Sequence, residues 1–327
     1  MPVVLATPTR ALAMERDALA ADVVAGLGGA GQKEIPSRYL YDAIGSALFD
    51  AITLLPEYGL TAADERLLQD HAGEITRFTP SRITVVELGS GSGRKTRWIL
   101  SALGERQATT YHPIDVSESS LERCRGELSE LLRVRIAGVA LPYLDGLREV
   151  TARRRRGHTM LVLFLGSTIG NFRRDEIVPF LRAVRAHLRP GDALLLGADL
   201  QQDESRLRLA YDDPAGVTAA FNRNVLARIN RELQGRFDPR AFDHEARWDA
   251  THRRVEMHLV SRSRQSVAIP GAGLSVRFEA GESIWTESSS KFDGAEIQAL
   301  AASAGFVPSV QWIDTTWPFA ETLLIVT

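Results

Sequence analysis

Apolar positions along this 327-residue chain follow two rhythms. Residues 11–27 carry Leu12, Leu19, Val23 and Leu27 at helical spacing, which predicts an amphipathic helix. Ile35–Tyr58 is rich in aromatics, with Pro36 and Pro56 as punctuation, and reads as a helix and a loop packed on a core. From Ile83 onward, short apolar runs alternate with helical patterns. The predicted strands are Ile83–Leu88, Tyr111–Asp115, Val134–Ala140, Met160–Leu165 and Asp192–Ala198. The predicted helices are Thr96–Leu103, Ser117–Leu132 with a serine cap, and Asp175–Leu188, stopped by Arg189-Pro190-Gly191. Met160–Leu165 is unbroken apolar text, as in a strand buried on both faces. Such alternation predicts an α/β fold with a parallel sheet covered by helices on both faces.

After Asp199 the pattern breaks. Leu207–Leu233 reads as one long helix or two. Arg254–Ser261, Gln265–Ile269 and Leu274–Glu279 then read as successive strands of an antiparallel meander. A second, smaller α+β unit inserted at this point is the economical explanation. Ala295–Ala304 is helical, and Val307–Ile313 and Thr322–Val326 are strands. Their link, which contains Trp317-Pro318, is too short for a crossover helix, so this terminal pair should be antiparallel.

Composition narrows the class. Hydrophobic residues make up 44% and charged residues 24%, as in an average globular protein, and the net charge of −2 exerts no pull toward nucleic acid. No stretch approaches the roughly 18 apolar residues of a membrane span. Arg10, Glu15, Arg16 and Asp17 interrupt the N-terminal text where a secretion signal needs an uncharged core. The expectation is a cytoplasmic monomer. A single cysteine, Cys124, excludes an intramolecular disulfide, and its predicted helix gives it a packing role. The seven histidines lack metal-ligand spacing, so no metal is expected. The arginine run Arg153–Arg156 reads as a solvated loop.

The sharpest local signal is Glu87-Leu88-Gly89-Ser90-Gly91-Ser92-Gly93, where a strand runs into a glycine-rich turn that opens a helix. Gly89 and Gly91 would let a ligand approach the main chain. Glu87 sits two positions before the first glycine, and a carboxylate there suits a cationic partner better than a pyrophosphate. S-adenosylmethionine, with an ammonium and a sulfonium and no phosphate, fits. A tight turn without ligand is the bland reading. Asp115 ends the next strand, where a carboxylate can accept both ribose hydroxyls; it could equally cap the following helix. Leu163–Asn171 follows the fourth strand, on the side where open α/β sheets bind ligands. Gly166 and Gly170 permit close approach there, and Asn171 either meets a ligand or caps the helix after Phe172.

Longer motifs carry a resemblance. Tyr39-Leu40-Tyr41-Asp42, Ser46-Ala47-Leu48-Phe49-Asp50, Leu55-Pro56-Glu57-Tyr58, the glycine turn, Phe164–Asn171, Ala210-Tyr211-Asp212-Asp213, Gly216–Asn222, Glu256-Met257 and Thr286–Phe292 span nearly the whole chain. This text resembles the histidine-specific methyltransferases of ergothioneine biosynthesis, which use S-adenosylmethionine to trimethylate the α-amino group of L-histidine, giving hercynine. The resemblance implies a class I methyltransferase fold with an antiparallel terminal strand. It assigns 64–200 and 290–327 to the cofactor domain and 1–63 and 201–289 to the substrate domain.

By the same resemblance, Tyr41, Glu87, Gly89, Gly91, Lys95 and Asp115 would meet the cofactor. Lys95 would otherwise read as a solvated helix residue. Asn171 and Tyr211 would hold the histidine carboxylate, and Tyr58 and Asn171 would stand at its amino group in the catalytic position. Phe49, Gly166 and Thr218 would line the pocket, while Glu287 and Ser289 would bind the imidazole against Met257. Without the resemblance, Glu287 and Lys291 also read as a surface ion pair. One departure stands out: the third strand of the family ends with an acid for the adenine amino group, whereas this chain has Val139, with Asp145 the next carboxylate. The alternatives are the same chemistry on another amino acid such as tryptophan, a nicotinamide-dependent oxidoreductase, or a non-catalytic ligand sensor.

Overall fold

The computed structural model describes residues 8–78 and 81–327. Residues 1–7 of the N-terminal text and the side chain of Leu12 lie outside the described residues. Two compact units emerge: Met1–Ile52, Glu204–Asp249 and Val255–Ser288 form the first, and Thr53–Asp203, Ala250–Arg254 and Ser289–Thr327 the second. The chain therefore first crosses between units after residue 52 rather than 63, and Ala250–Arg254 belongs with the second unit.

In chain order the elements are α1 (Pro8–Leu27), β1 (Lys33–Glu34), α2 (Ala43–Ile52), α3 (Gly59–Ile75), β2 (Arg82–Leu88), α4 (Arg97–Arg106), β3 (Thr109–Ile114), α5 (Glu118–Glu127), β4 (Val134–Ile136) and α6 (Tyr143–Ala152). There follow β5 (His158–Phe164), α7 (Arg174–Ala186), β6 (Ala193–Asp199), α8 (Glu204–Tyr211), α9 (Val217–Leu233), β7 (Phe242–Asp249) and β8 (Arg254–Ser261). The last are β9 (Gln265–Ile269), β10 (Leu274–Phe278), β11 (Ser283–Ser290), α10 (Gly294–Ser303), β12 (Val307–Asp314) and β13 (Phe319–Ile325).

The second unit is built on a seven-stranded sheet in the order β12-β13-β6-β5-β2-β3-β4. β4, β3, β2, β5 and β6 run parallel, while β13 is antiparallel to both β6 and β12. β6 is buried at every position, as its apolar run requires for a strand covered on both faces. Helix α7 places Ile177, Phe180, Leu181 and Val184 on one stripe, and that stripe packs into the core around Val162, Phe164 and Leu196. Each such side chain contributes about 1.5–3 kcal/mol when fully buried. The predicted serine cap forms, with Ser117 Oγ accepting from Ser120 N–H, but α5 ends ten residues on, at Glu127. α3 and α6 had no counterpart in the periodicity reading: acids interrupt their apolar positions, pairing within the helix in α6, as Asp145 does with Arg148, and with distant residues in α3, as Asp64 does with Lys95.

In the first unit, β1, β11, β8 and β7 form one sheet in that order, and β10 pairs only with β9. The expected meander is thus corrected: β8 and β9 are successive in sequence but belong to different sheets. β11 lies between β8 and β1, and both β7 and β11 are too polar to have stood out as apolar strands. Leu207–Leu233 resolves into α8 and α9 because Asp213 caps the second helix, accepting from Val217 N–H at 3.0 Å and Thr218 N–H at 2.7 Å. Among the described residues, no helix is long and apolar enough to cross a membrane.

Candidate active site

The glycine turn leaves β2 with Gly89 at φ +77° and Gly91 at φ +51°, left-handed conformations that a side chain strains. A Cβ at Gly89 would also press to 3.1 Å from the Tyr143 hydroxyl. The turn is tied to β3: Gly89 N–H donates to the Ile114 carbonyl at 2.8 Å, and Gly91 N–H donates to Asp115 Oδ2 at 3.1 Å. Asp115 Oδ1 accepts from Ser117 N–H at 2.9 Å, so one carboxylate bridges the turn and the start of α5. Helix capping is left to Ser117. Burial raises the Asp115 pKa, and the two backbone donors pull against that rise.

Glu87 is 3% exposed beneath the turn, where its Oε2 accepts from the Tyr111 hydroxyl and, at 2.7 Å, from Thr96 Oγ1. Desolvation pushes its carboxyl up to about 7, against the pull of the two hydroxyls and of Lys95. Its observed contacts anchor the turn, and the charge it carries is set by how dry that anchor is. Lys95 is no solvated residue: its ammonium pairs with the buried Asp64. Cys124 packs under the turn with its thiol pushed up to about 12 by burial, in keeping with a packing role.

On the strand side, Gly166 N–H donates to Asp64 Oδ2 at 2.9 Å, and Ser167 takes a left-handed φ of 57°. Thr168–Asn171 is a short 3₁₀ turn ending in Asn171, while α7 takes Arg173 as its cap, so Asn171 is not the cap of that helix. Tyr58 is buried at the start of α3. Ser289 Oγ accepts from Lys291 Nζ at 2.9 Å, and Lys291 also pairs with Asp199 at 2.6 Å. Lys291 is fully buried, so the alternative of a Glu287–Lys291 surface ion pair is overturned.

The first unit gathers a different set. Tyr41, expected at the cofactor, donates its hydroxyl to Glu287 Oε1 at 2.9 Å, and its ring stands edge-on to Phe49 and Phe221 at 5.5 and 5.3 Å. Behind Glu287, Thr286 Oγ1 donates to Asn222 Oδ1 at 2.6 Å, and its hydroxyl also lies 2.9 Å from the Met257 carbonyl. Asn222 Nδ2 in turn donates to His244 Nδ1 at 2.9 Å, and His244 Nε2 donates to the Tyr211 carbonyl at 2.7 Å. That chain of bonds fixes the neutral tautomer of His244, and burial lowers its pKa in the same direction. Met257 and Thr218 are both buried. Asn222 and His244 were missed from sequence, although Asn222 lies inside the motif Gly216–Asn222.

A family model described as histidine-specific methyltransferase, SAM-dependent, matches residues 19–326. The chain belongs to this methyltransferase family. It is 43% identical to a histidine N-alpha-methyltransferase of Mycobacterium tuberculosis, covering 94% of each chain. Ergothioneine biosynthesis protein 1 of Neurospora crassa is 32% identical over 86% of this chain and 32% of its own length. An L-tryptophan methyltransferase of Psilocybe serbica is 28% identical, over 87% of this chain and 86% of the relative. Family membership therefore establishes S-adenosylmethionine-dependent, histidine-specific methyl transfer.

Three features of this methyltransferase add to the sequence reading. Asp145 lies in the first turn of α6, half-exposed and paired with Arg148 at 2.7 Å. Val139 itself meets β3 through its backbone, donating to the Pro113 carbonyl at 2.9 Å. Tyr143, unnoticed in the sequence, lies against Gly89 with its phenol pushed up to about 12 by burial. The arginine run is also more than a solvated loop: Arg154 is half-buried and bidentate on the buried Asp192.

Proposed function

We propose that this enzyme methylates the α-amino nitrogen of L-histidine, up to the trimethylated betaine hercynine, at the entry to ergothioneine biosynthesis. The observation that carries the acceptor choice is Glu287 and Ser289, two residues apart on β11 and therefore on one face of the strand. The Glu287 carboxylate can accept, and the Ser289 hydroxyl, which accepts from Lys291, can also donate. A neutral imidazole offers one N–H and one bare nitrogen, which suits such a pair. An indole offers a donor alone and could engage only the carboxylate.

The residues of the second unit fit the donor. The left-handed backbone at Gly89 and Gly91 leaves a cradle that side chains would fill, and Asp115 stands at the end of β3, where a ribose diol would meet it. When bound, S-adenosylmethionine supplies a methyl already activated by its sulfonium charge. What remains for the protein is alignment. Within the second unit Tyr58 and Asn171 would serve the amine and Gly166 would leave room beside them; within the first, Tyr211 would serve the carboxylate, and Phe49, Thr218 and Met257 the side chain. The α-amine has to be neutral to react, so the starting ammonium and each of the first two methylated products must first give up a proton, here to water. The third transfer leaves a permanent cation with no proton to lose. The test offers each proteinogenic amino acid with S-adenosylmethionine and reads mass gain. Histidine should gain three methyl units; turnover of tryptophan with histidine unchanged overturns the assignment.

A further inference from the structure

Three charged residues distant in sequence meet beneath Gly166. Asp64 comes from α3, Lys95 from the segment after the glycine turn, and Glu321 from the middle of β13. Asp64 and Glu321 are 0% exposed. Asp64 Oδ2 accepts from the Lys95 ammonium and from Gly166 N–H, whereas its Oδ1 meets no donor among the described residues. Both oxygens of Glu321 are equally without a donor, and the side chain lies within hydrogen-bonding reach of Asp64. The sheet makes room for this acid. Glu321 pairs in register with Gly197 of β6, where a Cβ would stand 2.6 Å from Glu321 Oε1.

Two carboxyls here, with Glu87 near, face the cation Lys95 in a dry interior. Leaving every acid ionised would strand acceptors and bury excess negative charge, both costly. One proton placed between the two carboxyls supplies the missing donor. We propose that Glu321 is a positioning residue for methyl transfer: as the neutral acid it donates to Asp64, which thereby holds the Lys95 ammonium in a fixed place at the cofactor turn. The groups acting on Glu321 are Asp64 from α3, Lys95, and Glu87 from β2, and burial is the largest of the influences that keep its proton on.

This inference rests on Lys95 meeting the cofactor, so the experiment separates the two claims. S-adenosylhomocysteine affinity is measured by calorimetry for the wild type and for Lys95→Met, Glu321→Gln and Glu321→Leu. Infrared difference spectra of wild type against Glu321→Gln look for the carbonyl stretch of a protonated carboxyl. Lys95→Met and Glu321→Leu should each weaken binding about tenfold or more, the scale of one lost charge-assisted hydrogen bond. Glu321→Gln keeps a donor and should stay within about threefold of wild type, while the protonated-carboxyl band at neutral pH disappears. Wild-type binding after Lys95→Met overturns the cofactor reading of Lys95 and the positioning role with it. Weak binding for Lys95→Met but wild-type binding for Glu321→Leu leaves Lys95 in place and overturns Glu321 alone. If Glu321→Leu does not fold, the infrared comparison decides: no band lost in Glu321→Gln overturns the proposal.

Discussion

The glycine turn and the Glu287 pocket are built in opposite ways. Around the turn, main-chain N–H groups do the joining, and one contiguous stretch of sequence, Glu87–Gly93, supplies both conformation and anchor. Around Glu287, side chains do it: Tyr41 donates to Glu287, while Thr286, Asn222 and His244, from three separate elements, form a second chain of bonds beside it. A backbone-built site is tolerant of what side chains surround it. A side-chain-built pocket can be retuned one residue at a time, which agrees with a family whose relatives carry both histidine and tryptophan in their names.

If the two regions divide the labour, variants should separate histidine from cofactor. The largest effect is expected from Glu287→Ala. Histidine kcat/KM should fall about 100-fold, reflecting an imidazole N–H left without its charged acceptor, with S-adenosylhomocysteine affinity nearly unchanged. Steady-state kinetics beside calorimetry check this, and equal losses in both would remove Glu287 from the imidazole pocket. Next, Asp115→Ala should weaken S-adenosylhomocysteine by about tenfold or more while sparing the histidine pocket, since it loses both a diol acceptor and the tie to Gly91. Unaltered binding would place the ribose elsewhere.

The remaining effect is on stability rather than on binding or turnover. Glu87 has a folded pKa of about 7, raised above the ordinary glutamate value of 4.5, so the folded protein binds more protons than the unfolded chain between those values. The stabilisation is complete below about pH 4.5 and is lost as pH rises through about 7, on the order of 3 kcal/mol for a group this buried. Thermal melts should therefore show Glu87→Gln with a shallower fall in Tm from pH 5 to 7.5 than wild type. Parallel curves would mean that Glu87 titrates normally.

Legibility in the sequence followed the same division. The parallel strands and the terminal hairpin could be read because burial on two faces leaves unbroken apolar runs such as Met160–Leu165. Strands β7 and β11 escaped because one carries Asp243, His244 and Glu245 and the other Thr286 to Ser290, polar runs that lack the apolar alternation of a strand. Asp115 was legible as a strand-end carboxylate, but its paired hydrogen bonds from Gly91 and Ser117 were not. Lys95 and Ser289 became visible only through the resemblance: Asp64 lies 31 residues from Lys95, and Ser289 sits in a run of serines that marks none of them out. Asn222, His244 and Tyr143 left no local trace, because their significance is what they touch.

The most direct check on the whole account locates the transferred carbons. Wild-type enzyme is given L-histidine and S-adenosylmethionine labelled with ¹³C in its methyl group, and the product is fragmented by tandem mass spectrometry. Three labelled methyls on the α-nitrogen, with the imidazole fragment at its natural mass, are predicted. Label on a ring nitrogen, or histidine recovered unlabelled, would contradict it.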